Sequence, residues 1–182
     1  MIEHINGYFG IHGEGFSCLL RVNEYGILEL LHYGEPVETG DGDAFLLYGG
    51  PGWGGSVVLD DAAPASCPDA MPLCWSGAGR GDYRESPLEL GGRSSDFRYA
   101  GYEITEGGVP MSGGLPQAKG AEQTLCISMK QPGLELKLYF SVFGGVLSRR
   151  AVLTNVGDNP ATLTKFMSSL MDLHGQYEMT SF

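Results

Sequence analysis

Positive charge is scarce in this sequence. Eleven Lys and Arg face 22 Asp and Glu, a formal net charge of −11, and a field of that sign repels phosphate backbones and anionic lipid surfaces. The expectation is no nucleic-acid partner and no membrane partner. Nor is there an apolar run near the roughly 18 residues that a membrane-crossing helix needs. The opening Met1-Ile2-Glu3-His4-Ile5-Asn6-Gly7 has no basic stretch leading into an apolar one, as a secretory leader would. A cytoplasmic location is therefore expected.

Cysteine and histidine are equally thin. Cys18, Cys67, Cys74 and Cys126 are scattered, and the closest two are too far apart for a zinc knuckle, whose cysteines are separated by about two to four residues. Free thiols are expected, with a Cys67–Cys74 disulfide left open by the turn-forming Pro68 and Pro72 between them. His4, His12, His32 and His174 are far apart, and none belongs to a His-x-x-x-His pair that would set two ligands on one helix face. No metal site and no cofactor are expected. There is no Gly-x-Ser-x-Gly elbow, and no Ser, Cys or Lys has a recognisable activating neighbour. No catalytic residue is assigned within the chain.

What is abundant is glycine, 29 residues in 182, about twice the usual share of about 7%. That suits many short strands joined by tight turns, and the length suits a single domain over residues 1–182. The clearest strand is Gly133 to Val142, where Leu134, Leu136, Leu138, Phe140 and Val142 alternate with Glu135, Lys137, Tyr139 and Ser141. Strict period two marks a strand with one buried face. Thr124 to Lys130 repeats the pattern, and Gln131-Pro132-Gly133 supplies the turn of a hairpin. Ser148 to Val156 is a third run, and Ala161 to Leu173, after the turn Gly157-Asp158-Asn159-Pro160, is expected as a fourth, completing a meander; its Phe166, Met167, Leu170 and Met171 also fit helical spacing, but the flanking threonines favour a strand. Earlier, Phe16 to Val22 and Ile27 to Tyr33 read as a second hairpin about Asn23-Glu24-Tyr25-Gly26. Ser86 to Leu90 and Ser94 to Ile104 read as further strands. At least nine strand candidates predict a mainly β protein, an antiparallel sandwich of two packed sheets with few or no helices.

Two segments invite a functional reading. Ala44 to Tyr48 and Ser56 to Leu59 flank the cluster Gly49-Gly50-Pro51-Gly52-Trp53-Gly54-Gly55, a loop between strands. It lacks the Gly-Lys-Ser/Thr ending and following helix of a phosphate loop. Its glycines either simply let the backbone turn or display Trp53, which could stack on the apolar face of a sugar ring. Asp60 to Trp75 is a long irregular loop containing the adjacent acids Asp60 and Asp61. Asp82 and Arg84 are spaced to pair across a strand end.

A series of landmarks then runs along most of the chain. It comprises Tyr33-Gly34, Gly79-Arg80-Gly81-Asp82-Tyr83-Arg84 with Pro87, Asp96-Phe97-Arg98-Tyr99, Gly114-Leu115-Pro116, and Thr124-Leu125 with Ile127. It continues with Gly133-Leu134-Glu135-Leu136 to Tyr139, Val142-Phe143, Arg149, Asn155-Val156-Gly157, Ser168-Ser169-Leu170 and Asp172-Leu173. In order and spacing these resemble the N-terminal domain of glycoside hydrolase family 36, the α-galactosidases. The resemblance implies a β-supersandwich preceding a (β/α)8 catalytic barrel and a C-terminal β domain, both expected downstream of Phe182. It implies a retaining hydrolase of terminal α-galactosyl residues in oligosaccharides such as raffinose or melibiose. The family's two catalytic Asp lie in the barrel, a nucleophile and an acid/base, so these 182 residues alone are expected to be inactive. It further implies a homo-oligomer in which the N-terminal domain serves assembly and sends a loop, here between Tyr33 and Arg80, to a neighbour's active site. This sequence departs from the pattern in having no Arg between Arg21 and Arg80, so a basic sugar contact from that loop is missing or moved. Trp53, Asp60 and Asp61 are the candidate substrate-binding residues, chosen by their chemistry and not by a match. The alternatives are a stand-alone carbohydrate-binding β-sandwich, with Trp53 and Tyr83 stacking on galactosides, or an oligomerisation module.

Overall fold

The computed structural model describes residues 1–46, 57–63, 66–78, 81–111, 119–171 and 178. Alternation builds its larger sheet. β7 (Gln123–Gln131), β8 (Leu134–Phe143) and β9 (Val146–Asn155) form an antiparallel meander, and β6 (Arg98–Glu106) pairs along β7. In β8 the expected row from Leu134 to Val142 is buried, and every residue between is half-buried. Leu125 sits opposite Phe140, Ile127 opposite Leu138 and Met129 opposite Leu136. A slip of one residue would turn that row outward, so burial itself fixes the register.

The facing sheet runs in chain order: β1 (Ile2–Ile5), β2 (Tyr8–Gly13), β3 (Phe16–Val22) and β4 (Leu28–Gly34). Its opening hairpin is not among the strands expected from the sequence. Asn6 and Gly7 both take positive φ, 52° and 86°, the geometry of a two-residue turn whose twist matches the strands on either side. Phe9, Ile11, Cys18, Leu20, Leu28 and Leu30 from this sheet meet the β7 and β8 rows in one core with Trp75, Leu88 and Phe97. Two antiparallel sheets closed over a shared apolar interior are the sandwich that the patterning predicts. Each core leucine contributes about 2 kcal/mol by leaving water.

Three details differ from the sequence reading. After β9 the chain leaves its sheet: Val156 and Gly157 both donate backbone N–H groups to the Gly133 carbonyl at 3.0 Å, and Asn155 Nδ2 donates to the Asn159 carbonyl at 3.0 Å. This knot turns the chain away, and the extended part of the next run, β10 (Leu163–Phe166), pairs with β5 (Leu88–Leu90) instead of extending the meander. Ala44 and Phe45 belong to a 3₁₀ stretch, Thr39–Phe45, and residues 57–59 are not in a strand.

That 3₁₀ stretch lies on the outer face of the first sheet, and small residues let it approach. A Cβ on Gly10 would sit 1.9 Å from Thr39 Oγ1, and one on Gly42 would sit 2.4 Å from the Tyr8 ring. Thr39 Oγ1 donates to Glu3 Oε1 at 2.5 Å, leaving its lone pairs to accept from His12 Nε2 at 2.9 Å, while Tyr8 donates its hydroxyl to Asp43. Burial, aided by the Asp43 carboxylate, holds the Tyr8 phenol above its usual range.

Candidate functional site

The connector between β4 and β5 carries all three candidate residues. Trp53 lies outside the described residues. Asp60 and Asp61 are exposed at one turn, whose geometry comes from Asp60 itself: its Oδ1 accepts from the Ala62 N–H at 2.9 Å, and its carbonyl accepts from the Ala63 N–H at 3.0 Å. Buried Ser66 closes the base, its Oγ accepting from the backbone N–H groups of Leu59 and Asp60 at 3.1 and 2.9 Å and donating to the Asp60 carbonyl at 3.2 Å. Asp60 thus shapes the turn that displays Asp61.

A second turn stands beside the first. Gly81 has φ 86°, and a Cβ there would meet the Val57 side chain at 2.4 Å, so the backbone at 81 abuts the start of the acidic turn. The next residues are the Asp82 and Arg84 of the expected pair. Arg84 Nε donates to Asp82 Oδ1 at 2.9 Å, Nη1 to the Met71 carbonyl at 2.8 Å and Nη2 to the Pro68 carbonyl at 2.7 Å. Ser76 donates its hydroxyl to the other Asp82 oxygen. A planar fork suits this task because its donors diverge at fixed angles toward several acceptors. Between the two paired residues Tyr83 is 73% exposed, with its N–H bonded to Asp69 Oδ1 at 3.1 Å.

The platform is fastened to the core from behind. Residues 72–74 run along the open edge of β4: Leu30 donates its N–H to the Pro72 carbonyl at 2.8 Å, and Cys74 donates to the Leu28 carbonyl at 3.0 Å. Glu29, whose side chain is wholly buried, receives Arg21 Nε at 2.8 Å and Asn23 Nδ2 at 3.1 Å. Burial pushes its carboxyl above the ordinary value, with Arg21 and then Asn23 pulling it back. From the opposite sheet Arg149 lies over the Phe140 ring, 5.1 Å from its centroid, and donates to the carbonyls of Cys74 at 2.7 Å and Leu170 at 2.5 Å. All four cysteines are free. Burial pushes the Cys18 and Cys74 thiols up, which leaves them poor nucleophiles.

Exposed carboxylates and an exposed phenol on two turns of the same connector are groups suited to a polyhydroxylated ligand: a ring stacks and carboxylates accept from hydroxyls. Tyr83, given only a secondary role in the sequence reading, lies two residues after Gly81, whose backbone abuts Val57, and the Gly-Asp-Tyr-Arg string is the signal that marks it. Among the described residues no group of three or more His, Cys, Asp or Glu could hold a metal ion, and no helix is long and apolar enough to cross a membrane. An open groove of about 470 Å³ beside the 3₁₀ stretch is lined by Glu3, His12, Ser17, Glu38 and Asp41 among others. Its His12 and Ser17 are engaged in holding that stretch to the sheet, His12 through Thr39 and Ser17 through the Val37 backbone.

Comparison with known proteins agrees with this architecture. The bifunctional alpha-galactosidase/sucrose kinase AgaSK of Mediterraneibacter gnavus is 27% identical over 186 residues, which take in 96% of this chain and 20% of that protein. The solved galactosidase domain of AgaSK matches with a TM-score of 0.81 over 93% of this chain and 25% of that one. The GH36 alpha-galactosidase AgaB of Geobacillus stearothermophilus, at 20% identity, and the alpha-galactosidase of Lactobacillus brevis, at 22%, share the fold with TM-scores of 0.81. They align over 92% and 94% of this chain, and over 24% and 25% of their own. The chain thus spans about a fifth of its curated relative and about a quarter of these solved chains. The family description "Glycosyl hydrolase family 36 N-terminal domain" matches residues 26–182, and on that match the chain belongs to the glycosyl hydrolase family 36 N-terminal domain family.

Proposed function

We propose that this chain is the N-terminal accessory domain of a cytoplasmic α-galactosidase that hydrolyses terminal α-galactosyl residues of oligosaccharides such as raffinose or melibiose. The observation that carries the reading is the likeness to the galactosidase domain of AgaSK, 27% identical and alike in fold over 93% of this chain. The reaction follows the retaining route. One carboxylate attacks the anomeric carbon while a second, about 5 Å away, protonates the leaving oxygen, and the pair is held by a rigid frame. Those two groups belong to a barrel supplied by the rest of the polypeptide. The present domain contributes to subunit assembly in a homo-oligomer and lends one wall to the sugar site through Trp53, Asp60 and Asp61, together with Tyr83.

The test uses the uninterrupted reading frame that contains this chain. Its product is expected to cleave an aryl α-galactoside and raffinose with retention at the anomeric carbon, followed by NMR, while the 182-residue chain does neither. Trp53→Ala and Asp61→Asn in the longer protein are expected to raise KM several-fold with a smaller change in kcat. An inactive full reading frame, or turnover by the 182-residue chain that disappears when one of its own acids is replaced, would refute the assignment.

A further inference from the structure

Residues 36–46, which open the long connector, are fastened to the first sheet by a chain of hydrogen bonds that passes through one titratable ring. His12 lies at its centre, with Nδ1 2.8 Å from Ser17 Oγ and Nε2 2.9 Å from Thr39 Oγ1. Ser17 Oγ in turn stands 3.0 Å from the Val37 amide nitrogen and 3.2 Å from the Val37 carbonyl, and Thr39 Oγ1 stands 2.5 Å from Glu3 Oε1. The sheet supplies Glu3 from β1, His12 from β2 and Ser17 from β3, and the segment supplies Val37 and Thr39. Ser17 and Thr39 are each 1% exposed, so water is poorly placed to replace a missing bond at either hydroxyl.

Five contacts require five hydrogens. The Val37 amide and the Ser17 and Thr39 hydroxyls bring one each, and a carboxylate brings none. A neutral imidazole brings a fourth, on one nitrogen only. With that hydrogen on Nε2, Ser17 must give its own to Nδ1, and the Val37 carbonyl is left without it. With the hydrogen on Nδ1, Ser17 serves the Val37 carbonyl, but Thr39 can reach Nε2 or Glu3 and not both. Either tautomer leaves one contact unmade. The imidazolium closes all five: Nδ1 donates to Ser17, Ser17 to the Val37 carbonyl, Nε2 to Thr39 and Thr39 to Glu3. It also sets a positive charge 3.5 Å from the Glu3 carboxylate.

The surroundings favour that charge. Glu38 and Asp41 of the segment line the groove beside the ring together with Glu3, while Asp43, further along, accepts from Tyr8. The Met1 α-amino group donates to the His12 backbone carbonyl at 2.7 Å, and on β3 the Arg21 guanidinium is paired with Glu29. We propose that His12 is a proton-operated clasp: residues 36–46 are seated on the sheet while its ring carries two protons and loosen when it gives one up. Imidazole titrates between about pH 5 and 8. A proton bound by the closed network and not by the open one stabilises closure on the acid side, and that contribution is lost as the pH rises. The segment leads into the connector that carries Asp60 and Asp61, so the clasp sets how firmly that connector is held at its start, whether or not the connector touches sugar.

Amide exchange on the product of the full reading frame, resolved to single residues by mass spectrometry and referred to an unstructured peptide at the same pH, tests this. The Val37 amide, which donates to Ser17, is expected to lose about 10-fold in protection between about pH 5.5 and 8, the scale of one hydrogen bond to a charged group. His12→Ala is expected to hold the lower protection at every pH. Glu3→Gln is the sharper variant, because its side-chain amide supplies the fifth hydrogen without titrating: it donates to Thr39, Thr39 to Nε2, and Nδ1 to Ser17. Val37 protection in that variant is expected to stay high up to about pH 8. Protection in the wild type that does not change with pH overturns the proposal, whether or not either variant folds. So does a fall of wild-type size in either variant, which would place the titrating group elsewhere.

Discussion

Arg84 shows how one side chain can order a loop that has no regular structure of its own. Its three nitrogens reach Asp82 and the carbonyls of Pro68 and Met71, so the 3₁₀ turn Pro68–Ala70 and the turn at Asp82 are tied together. Arg84→Ala leaves the buried Asp82 carboxylate without its cation and takes one of two donors from each carbonyl, Pro68 keeping the Met71 N–H and Met71 keeping that of Leu73. Removing one partner of a buried charged bond leaves the other desolvated, and a loss of about 2 to 3 kcal/mol is expected in urea unfolding. Arg84→Lys is expected to recover only part of it, because an ammonium cannot span the same fork. A loss under about 0.5 kcal/mol, the range of ordinary surface substitutions, would show that the platform is held by other means. The Asp82–Arg84 pairing was legible in the sequence because two opposite charges stood two residues apart. The carbonyls were not, since backbone acceptors have no residue-type signature. Asp60 and Asp61 look alike in the sequence, and only the Ala62 contact shows that Asp60 shapes its own turn.

At the scale of elements, β8 could be read directly because it is buried on one face alone, so polarity reports orientation at every position. The β1–β2 hairpin carried a signal that the pattern reading passed over: Asn6-Gly7 is a strong turn pair, but Gly10 interrupts the apolar row and β1 has only four residues. Gly10 is glycine because the 3₁₀ stretch needs the space. Gly10→Ala would drive a methyl group into Thr39, and overpacking of this kind costs about 1 to 3 kcal/mol. Residues 36–46 are expected to become the first site of limited proteolysis in that variant. Unchanged stability together with an unchanged cleavage pattern would mean that the stretch is not seated by this contact. The partner of β10 was beyond sequence reading for a different reason. Leu163, Lys165 and Phe166 meet Leu90, Glu89 and Leu88, and nothing local to either strand encodes a pairing over that distance.

At the scale of the whole molecule, stability is coupled to acidity through Glu29. Its carboxyl is raised above the ordinary 4.5, chiefly by burial, so the fold favours the protonated form more than the unfolded chain does. That contribution is fully present below about 4.5 and is lost as the pH climbs through the raised value. The unfolding free energy of the wild type relative to Glu29→Gln is therefore expected to fall with rising pH, and comparing the two proteins cancels the titration of the other acids. Urea midpoints over a pH series provide the measurement, and a flat or rising difference would contradict it. The two-stranded ribbon of β5 and β10 bears on a different property, the order of assembly. Hairpins such as β7–β8 can form from neighbouring residues within microseconds. Joining Leu90 to Leu163 instead closes a loop of roughly seventy residues, an entropic cost paid before any contact returns it. As the chain emerges from a ribosome, β5 must wait with its mate unmade until residue 166 is free, whereas most of the sandwich can already have condensed.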